Sequence, residues 1–262
     1  MDDVARPLLA ELIEIDTSPG AATFPEAANG LSRLLRAAHF RVEAVRTGSN
    51  PALLVAARSA PGSKRHIVMY NHYDTEAATA EWTVDPWRLT ERGGRLFGLG
   101  VTDNKGALAA RLAAVVDCAI APSITWLIQG EEETGSATLR RYLRETQLPA
   151  ADVWLDENGW DAADGTQLIL GMALSDHLQQ ACARSVVDRC VRTETRTLNK
   201  HLVPGGCPFQ AARPFDTPYL AIGLNDAQSR IHRPDESISA GHLTRHAVQF
   251  RELLAALEQG EA

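Results

Sequence analysis

Cysteine is scarce in this chain of 262 residues, and the four it has do not pair into a metal motif. Cys118, Cys182, Cys190 and Cys207 include no Cys-x-x-Cys, so a thiolate zinc site is not expected. Cys118 and Cys182 fall in apolar, helix-like surroundings, which fits buried thiols in a reducing, cytoplasmic compartment. Long apolar runs are missing too. No stretch approaches the roughly 18 residues of a membrane span. The start, Met1-Asp-Asp3, lacks the basic region and apolar core of a secretory signal. Positive charge is in deficit, with a net charge of −7, and that argues against nucleic acid as the main partner, because phosphate binding needs a basic face. No internal repeat and no low-complexity segment is present. What remains is an ordinary globular composition, 45% hydrophobic and 23% charged, in a length that suits one large α/β domain or two small ones.

Periodicity alternates between helix and strand. Apolar Val4, Leu8, Leu9, Leu12 and Ile13 share one face of a helix over 2–15, and a second helix covers 25–38. Strands are expected near 40–45, 52–57 and 64–70, then a helix from Asp103 to Ala119. A strand over 123–128, a helix over 136–146, and strands at 151–155 and 168–174 follow. A helix over 176–188, a strand at 219–222 and a final helix over 240–257 complete the pattern. Such alternation predicts a three-layer α/β/α sandwich with a mostly parallel, mixed sheet. The loop over 75–102 is too long for a plain connector and is expected to build a site. In parallel sheets, ligands bind at the carboxyl ends of strands. His72, Glu132, Glu133, Asp156 and His232 all fall at or just past such ends.

Gln129-Gly-Glu-Glu-Glu-Thr-Gly-Ser136 joins a buried strand to a helix. Three adjacent carboxylates there repel one another and resist desolvation, so either solvent or a cation must hold them. The other candidates are individually ambiguous. His72-x-Asp74 suits a surface loop or a metal-binding histidine whose tautomer a carboxylate fixes. Asp103 is a natural helix cap, or a carboxylate shared by two cations in the space that Gly98 and Gly100 leave. Asp156, with Glu157 beside it, and His232 each read as a polar turn or a ligand. Taken together, imidazoles and carboxylates without thiolate suit Zn²⁺, Mn²⁺ or Co²⁺. Two such ions can polarise a carbonyl and acidify a shared water, while a carboxylate that binds no metal moves the proton.

Tyr70-Asn-His-Tyr-Asp74, Trp82 to Pro86, Gly98-Leu-Gly-Val-Thr-Asp-Asn-Lys-Gly106, Gly130-Glu-Glu-Glu-Thr-Gly-Ser136, Leu155-Asp156 and His232-Arg-Pro-Asp-Glu236 occur in an order that resembles the di-zinc peptidase family of carnosinases, aminoacylase-1, carboxypeptidase G2 and acetylornithine and succinyl-diaminopimelate deacylases. The resemblance implies one metal, zinc first with manganese or cobalt as alternatives, held by His72, Asp103 and Asp156. It implies a second metal held by Asp103, Glu133 and His232, with Glu132 as general acid/base and Asp74 orienting His72. By the same resemblance, Asp at position 156 points to aminopeptidases or dipeptidases and Glu to carboxypeptidases or deacylases, with Glu157 one register step away.

The chain departs from that family where a lid-like domain is normally inserted, at about 172–200. Residues 1–262 therefore read as a single catalytic domain without lid or family dimer contact, a monomer or an oligomer of another kind. The Gly205-Gly206-Cys207 turn resembles that of lidless aminopeptidases with the same catalytic fold. Substrate grip is expected from loops 75–97 and 196–216, and the lid's oxyanion donor from His177, His201 or Arg213. The implied function is metal-dependent hydrolysis of an amide or peptide bond in a dipeptide or N-acyl amino acid. The alternatives are a biosynthetic amidohydrolase for a bulky or carrier-bound amino acid, and a metal-binding protein without turnover.

Overall fold

The structure, a computed structural model, describes residues 2–47, 50–118, 122–164, 166–185, 191–195, 208–214 and 216–259. Helices α1 (Asp2–Ile13) and α2 (Phe24–Ala37) lead into strands β1 (Arg41–Thr47), β2 (Asn50–Arg58) and β3 (His66–His72). The short strands β4 (Thr90–Arg92) and β5 (Arg95–Phe97) precede α3 (Lys105–Asp117), β6 (Ser123–Gln129), α4 (Ala137–Glu145), β7 (Val153–Asp156), β8 (Trp160–Asp161) and β9 (Gln167–Met172). Then come α5 (Asp176–Ser185), β10 (Val191–Thr195), α6 (Pro208–Ala212), β11 (Tyr219–Ala221), β12 (Asn225–Asp226), β13 (Ser237–Ser239) and α7 (Ala240–Glu258).

The main sheet runs β1-β2-β6-β3-β7-β11-β9-β8-β12, with β10 also paired to β9. Its centre, β6-β3-β7-β11, is parallel. The outer β1-β2-β6 and β11-β9-β8 pairings are antiparallel, which gives the mixed sheet expected. Side chains alternate across the sheet. Leu54, Ile67, Met69, Ile124, Trp126, Val153 and Leu155 face one core, shared with α1, α2, α3, α5 and α7. Leu53, Val68, Tyr70, Leu127 and Trp154 face the other, shared with α4 and α6. That is the expected three-layer sandwich. Among the described residues, no helix is long and apolar enough to cross a membrane.

The loop over 75–102 is not structureless. β4 and β5 form a hairpin, and β5 pairs antiparallel with β13 through Ser237↔Phe97. That small sheet ties the long loop to the segment just after His232. Three-residue strands carry too little periodicity to be read in a sequence.

The helix face of α7 buries a histidine. His246 is 2% exposed, stacks on Phe250, and neither of its ring nitrogens has a hydrogen-bond partner among the described residues. Burial, with the positive charge of Arg111 and His242 nearby, holds its pKa well below 6.5. The unfolded chain takes up a proton near 6.5 while the folded chain does not, so the folded state loses stability as pH falls below 6.5 and is unaffected above it. His246→Phe is expected to gain stability on the parent as pH falls from 7.5 to 5.5, read from urea unfolding at both pH values.

Candidate metal centre

The parallel strands deliver the site. β3 is buried from Ile67 onward and ends on His72, itself 1% exposed. The His72 Nδ1 lies 3.2 Å from the Asp74 carbonyl oxygen and 3.4 Å from Asp74 Oδ1, which leaves Nε2 facing the centre. Asp74 Oδ2 accepts the backbone N–H of Glu133 at 3.0 Å, so one carboxylate aligns both the histidine and the acidic turn after β6.

In that turn the three glutamates divide. Glu131 is spent on the fold: its carboxylate accepts the backbone N–H of Thr138 at 2.8 Å and the Thr138 hydroxyl at 3.0 Å, at the start of α4. Glu132 and Glu133 are left at the site, with oxygens close to a His72 ring nitrogen. Gly130 makes the close approach possible, since a Cβ there would sit 2.5 Å from the Tyr73 hydroxyl. Burial raises the Glu132 pKa above its ordinary value; the neighbouring Glu133, Asp103 and Asp74 charges add to the rise and His72 opposes it.

Asp103 stands between two imidazoles. Its Oδ1 is 2.9 Å from His72 Nε2 and its Oδ2 is 3.2 Å from His232 Nε2. The helix predicted to begin at Asp103 begins at Lys105 with Asn104 in the cap position, so the Asp103 side chain is not used as a cap. His232 Nε2 also lies 3.0 Å from Glu133 Oε1, and its Nδ1 lies 3.7 Å from Glu76 Oε1. The His232 loop passes through left-handed backbone at Arg230, His232 and Asp235, with φ of 55°, 57° and 60°, a conformation that non-glycine residues hold only when their surroundings fix it. Part of that fixing is Asp235, which accepts the Thr83 backbone N–H at 2.9 Å and the Thr83 hydroxyl at 3.0 Å. Hydrogen bonding to Asp103 and Glu133 raises the His232 pKa to about 11. For His72, burial works against charge, but Glu157, Asp103 and Asp74 outweigh it and the pKa stands well above 6.5.

At the end of β7 the structure turns the two neighbouring carboxylates to opposite faces. Asp156 is on the sheet face of Trp154 and Tyr219, where its carboxylate accepts the Tyr219 hydroxyl and, at 2.8 Å, the backbone N–H of Glu157. Glu157, the first residue past the strand, turns inward instead. Its Oε1 is 3.8 Å from His72 Nε2, and it groups with His72 and Asp103. Strand alternation is the reason: one residue of register exchanges the faces.

Of the oxyanion candidates, Arg213 is displaced from the site. Its guanidinium donates to the carbonyls of Pro214 and Thr217, in the turn before the amino end of β11. The side chain of His177 and the whole of His201 lie outside the described residues, as do Cys190 and the Gly205-Gly206-Cys207 turn.

Three groups of donors result among the described residues, His72–Asp103–Glu157, His72–Glu132–Glu133 and Glu76–Glu133–His232, each with ligand atoms within 4.8 Å of one another, and Asp103 stands beside both histidines. The donors are nitrogen and oxygen without thiolate, the set that suits zinc, manganese or cobalt. Glu157 Oε2 is buried with no hydrogen-bond partner among the described residues, and burial raises the pKa of this carboxyl well above its ordinary value. A buried carboxylate that lacks donors fits a place beside a cation.

Beneath the site lies a residue that the motifs did not flag. Arg111, on α3, is fully buried. It donates to the Tyr70 carbonyl at 3.0 Å and Asn71 Oδ1 at 3.1 Å on β3, to the Asp156 carbonyl at 2.6 Å on β7, and to the Ile222 carbonyl at 2.9 Å just past β11. One planar cation thus binds the carboxyl ends of three parallel strands. A lone arginine in an otherwise alanine- and leucine-rich helix was the available signal. Glu76 and Glu236 were missed in the same way, Glu76 within a long loop and Glu236 inside a motif that gave it no role.

A sheet whose strand ends converge carboxylates and imidazoles on one pocket belongs to the α/β/α domains with a candidate metal centre. Residues 68–256 match the model of peptidase family M20/M25/M40, and the chain belongs to that family. It is similar to the Beta-Ala-His dipeptidase of Rattus norvegicus, 32% identical over 101 residues, which are 36% of this chain and 20% of that one. It is also similar to the acetylornithine deacetylase of Myxococcus xanthus, 32% identical over 136 residues, which are 50% of this chain and 35% of that one. The chain thus spans between a fifth and about a third of the length of these curated relatives. The crystal structure of human carnosine dipeptidase 1 has the same fold, with a TM-score of 0.72 at 14% identity, the superposition covering 98% of this chain and 97% of that one.

Arg111→Met is expected to destabilise the fold by at least about 3 kcal/mol, because it leaves several buried acceptors unpaired. Denaturant unfolding of the parent and variant measures this directly.

Proposed function

We propose that this chain is a metal-dependent amide hydrolase acting on a small substrate that contains an amino acid. The observation that carries the reading is the Asp103 carboxylate, with one oxygen at each of two imidazoles and Glu132 beside them. In this reading His72, Asp103 and Glu157 hold one divalent ion, and Asp103, Glu133 and His232 hold another, zinc before manganese or cobalt. Divalent ions held there would supply Lewis acidity to the scissile carbonyl and to the attacking water. Asp74 keeps the His72 ring turned, with Nδ1 engaged and Nε2 free to coordinate. Glu132 takes the proton of the attacking water and delivers it to the departing amine. A carboxyl group suits both halves of that transfer, because the carboxylate takes the proton as a base and the neutral acid gives it back. No lid domain is part of the reading; the β4–β5 hairpin and the Thr83–Asp235 tie form the rim.

Glu157 also bears on the substrate. The family resemblance associates a glutamate at this position with deacylases and carboxypeptidases, so an N-acyl amino acid is favoured over a dipeptide with a free amino terminus. The relatives named as dipeptidase and as deacetylase match at equal identity, and Glu157 is the feature that supports the acyl substrate in this reading.

The test is amine release by zinc- or manganese-loaded protein from a panel of N-acyl amino acids and dipeptides. Turnover on the acyl substrates is expected, lost to chelator, and reduced about 10²- to 10⁴-fold in Glu132→Gln. Faster turnover of free-amine dipeptides would reverse the substrate assignment. Activity undiminished in Glu132→Gln would remove its role as base.

A further inference from the structure

We infer that Glu236 is a positioning residue that sets both metal positions at once, by clasping the backbone that presents Asp103. This rests on the metal-centre reading above. Glu236 is 2% exposed. Its Oε2 accepts the Gly100 N–H at 2.9 Å, and its Oε1 accepts the N–H groups of Thr102 and Asp103 at 2.7 and 3.0 Å. Three backbone donors of one loop therefore converge on a single carboxylate, a concave arrangement suited to a negative charge.

The loop is held from other sides as well. The Thr102 hydroxyl donates to the Ser237 carbonyl at 3.1 Å, and the Gly98 N–H to the Glu236 carbonyl at 3.3 Å. Gly100 has φ of 77°, and a Cβ on it would meet Thr75 at 2.5 Å, so the turn can close only around glycine.

Glu236 stands four residues after His232 in the chain and grips the N–H of Asp103 itself. It therefore fixes the distance between the His232 loop and the carboxylate whose two oxygens stand 2.9 and 3.2 Å from the two imidazoles. A residue that only stabilised the His232 loop would affect one metal position. A residue that sets the Asp103 backbone affects two, because the Oδ1 and Oδ2 atoms move together.

The experiment is calorimetric titration of the metal-stripped full chain with Zn²⁺. Glu236→Ala would empty a buried socket and threaten folding, so Glu236→Gln is the variant of choice. It keeps the shape and one acceptor oxygen, but sets an NH₂ group against a loop that offers only donors. A core variant on the far side of the sheet, Phe209→Leu, controls for general loosening. Wild type is expected to take two ions, Glu236→Gln to bind both about 10- to 100-fold more weakly, and Phe209→Leu to bind both as wild type does. Unchanged affinities in Glu236→Gln, weakening of one ion alone, or equal weakening in Phe209→Leu would each overturn the inference. Wild type that takes no zinc would instead fail the metal-centre reading, and the inference with it.

Discussion

The Asp103 carboxylate has to face two imidazoles that arrive from opposite ends of the chain, and much of the structure serves that constraint. His72 comes from the end of a central strand and is buried; His232 comes from a loop some 160 residues later and is 42% exposed. Neither is held by sequence proximity. The carboxylate is held by its own backbone, whose N–H is bound by Glu236, and by a glycine turn that brings Asp103 up to the strand ends. Around it, Glu133, Glu157 and Glu132 add negative charge in a partly desolvated space. Such a concentration is unfavourable without positive charge to match it, and the raised pKa values of His72 and His232 are the protein's answer when protons are the only cations present. A metal ion would take the place of those protons.

Beneath this layer the sheet must hold its strand ends in register. Arg111 does so from the core side, tying β3, β7 and the end of β11 through their carbonyls, while its guanidinium lies over the Phe250 ring of α7 at 4.8 Å. The cation is used for structure, not for chemistry at the site. Its placement leaves the carboxylates above it to face the pocket. Four such donor contacts from one side chain offset the cost of burying its charge.

Much of this was legible in the sequence. The central strands are continuous apolar runs, as strands buried on both faces must be, and the rule that ligands gather at their carboxyl ends drew His72, Glu132, Glu133 and His232 together without coordinates. What stayed illegible did so for physical reasons. Asp156 and Glu157 differ by a single register step, and the pleat of β7, which sets Asp156 against the Tyr219 hydroxyl of a strand more than sixty residues away, decides which of them turns inward. Asp103 looks like a helix cap because aspartate does cap helices; the Glu236 clasp that pulls it from that role is a long-range contact. The β4–β5–β13 sheet is built from segments too short to show a period, and Arg111 is isolated in a helix whose pattern reads as core. In each case a contact distant in sequence overrode the local signal.

The central claim is that Asp103 lies between two metal positions, with Glu157 rather than Asp156 completing the inner one. The most direct measurement is anomalous diffraction at the zinc edge from crystals of the zinc-loaded protein. Two peaks are expected to flank the Asp103 carboxylate, one against His72 and Glu157 and the other against His232 and Glu133. A single peak, a peak coordinated by Asp156, or none at Asp103 would contradict the claim.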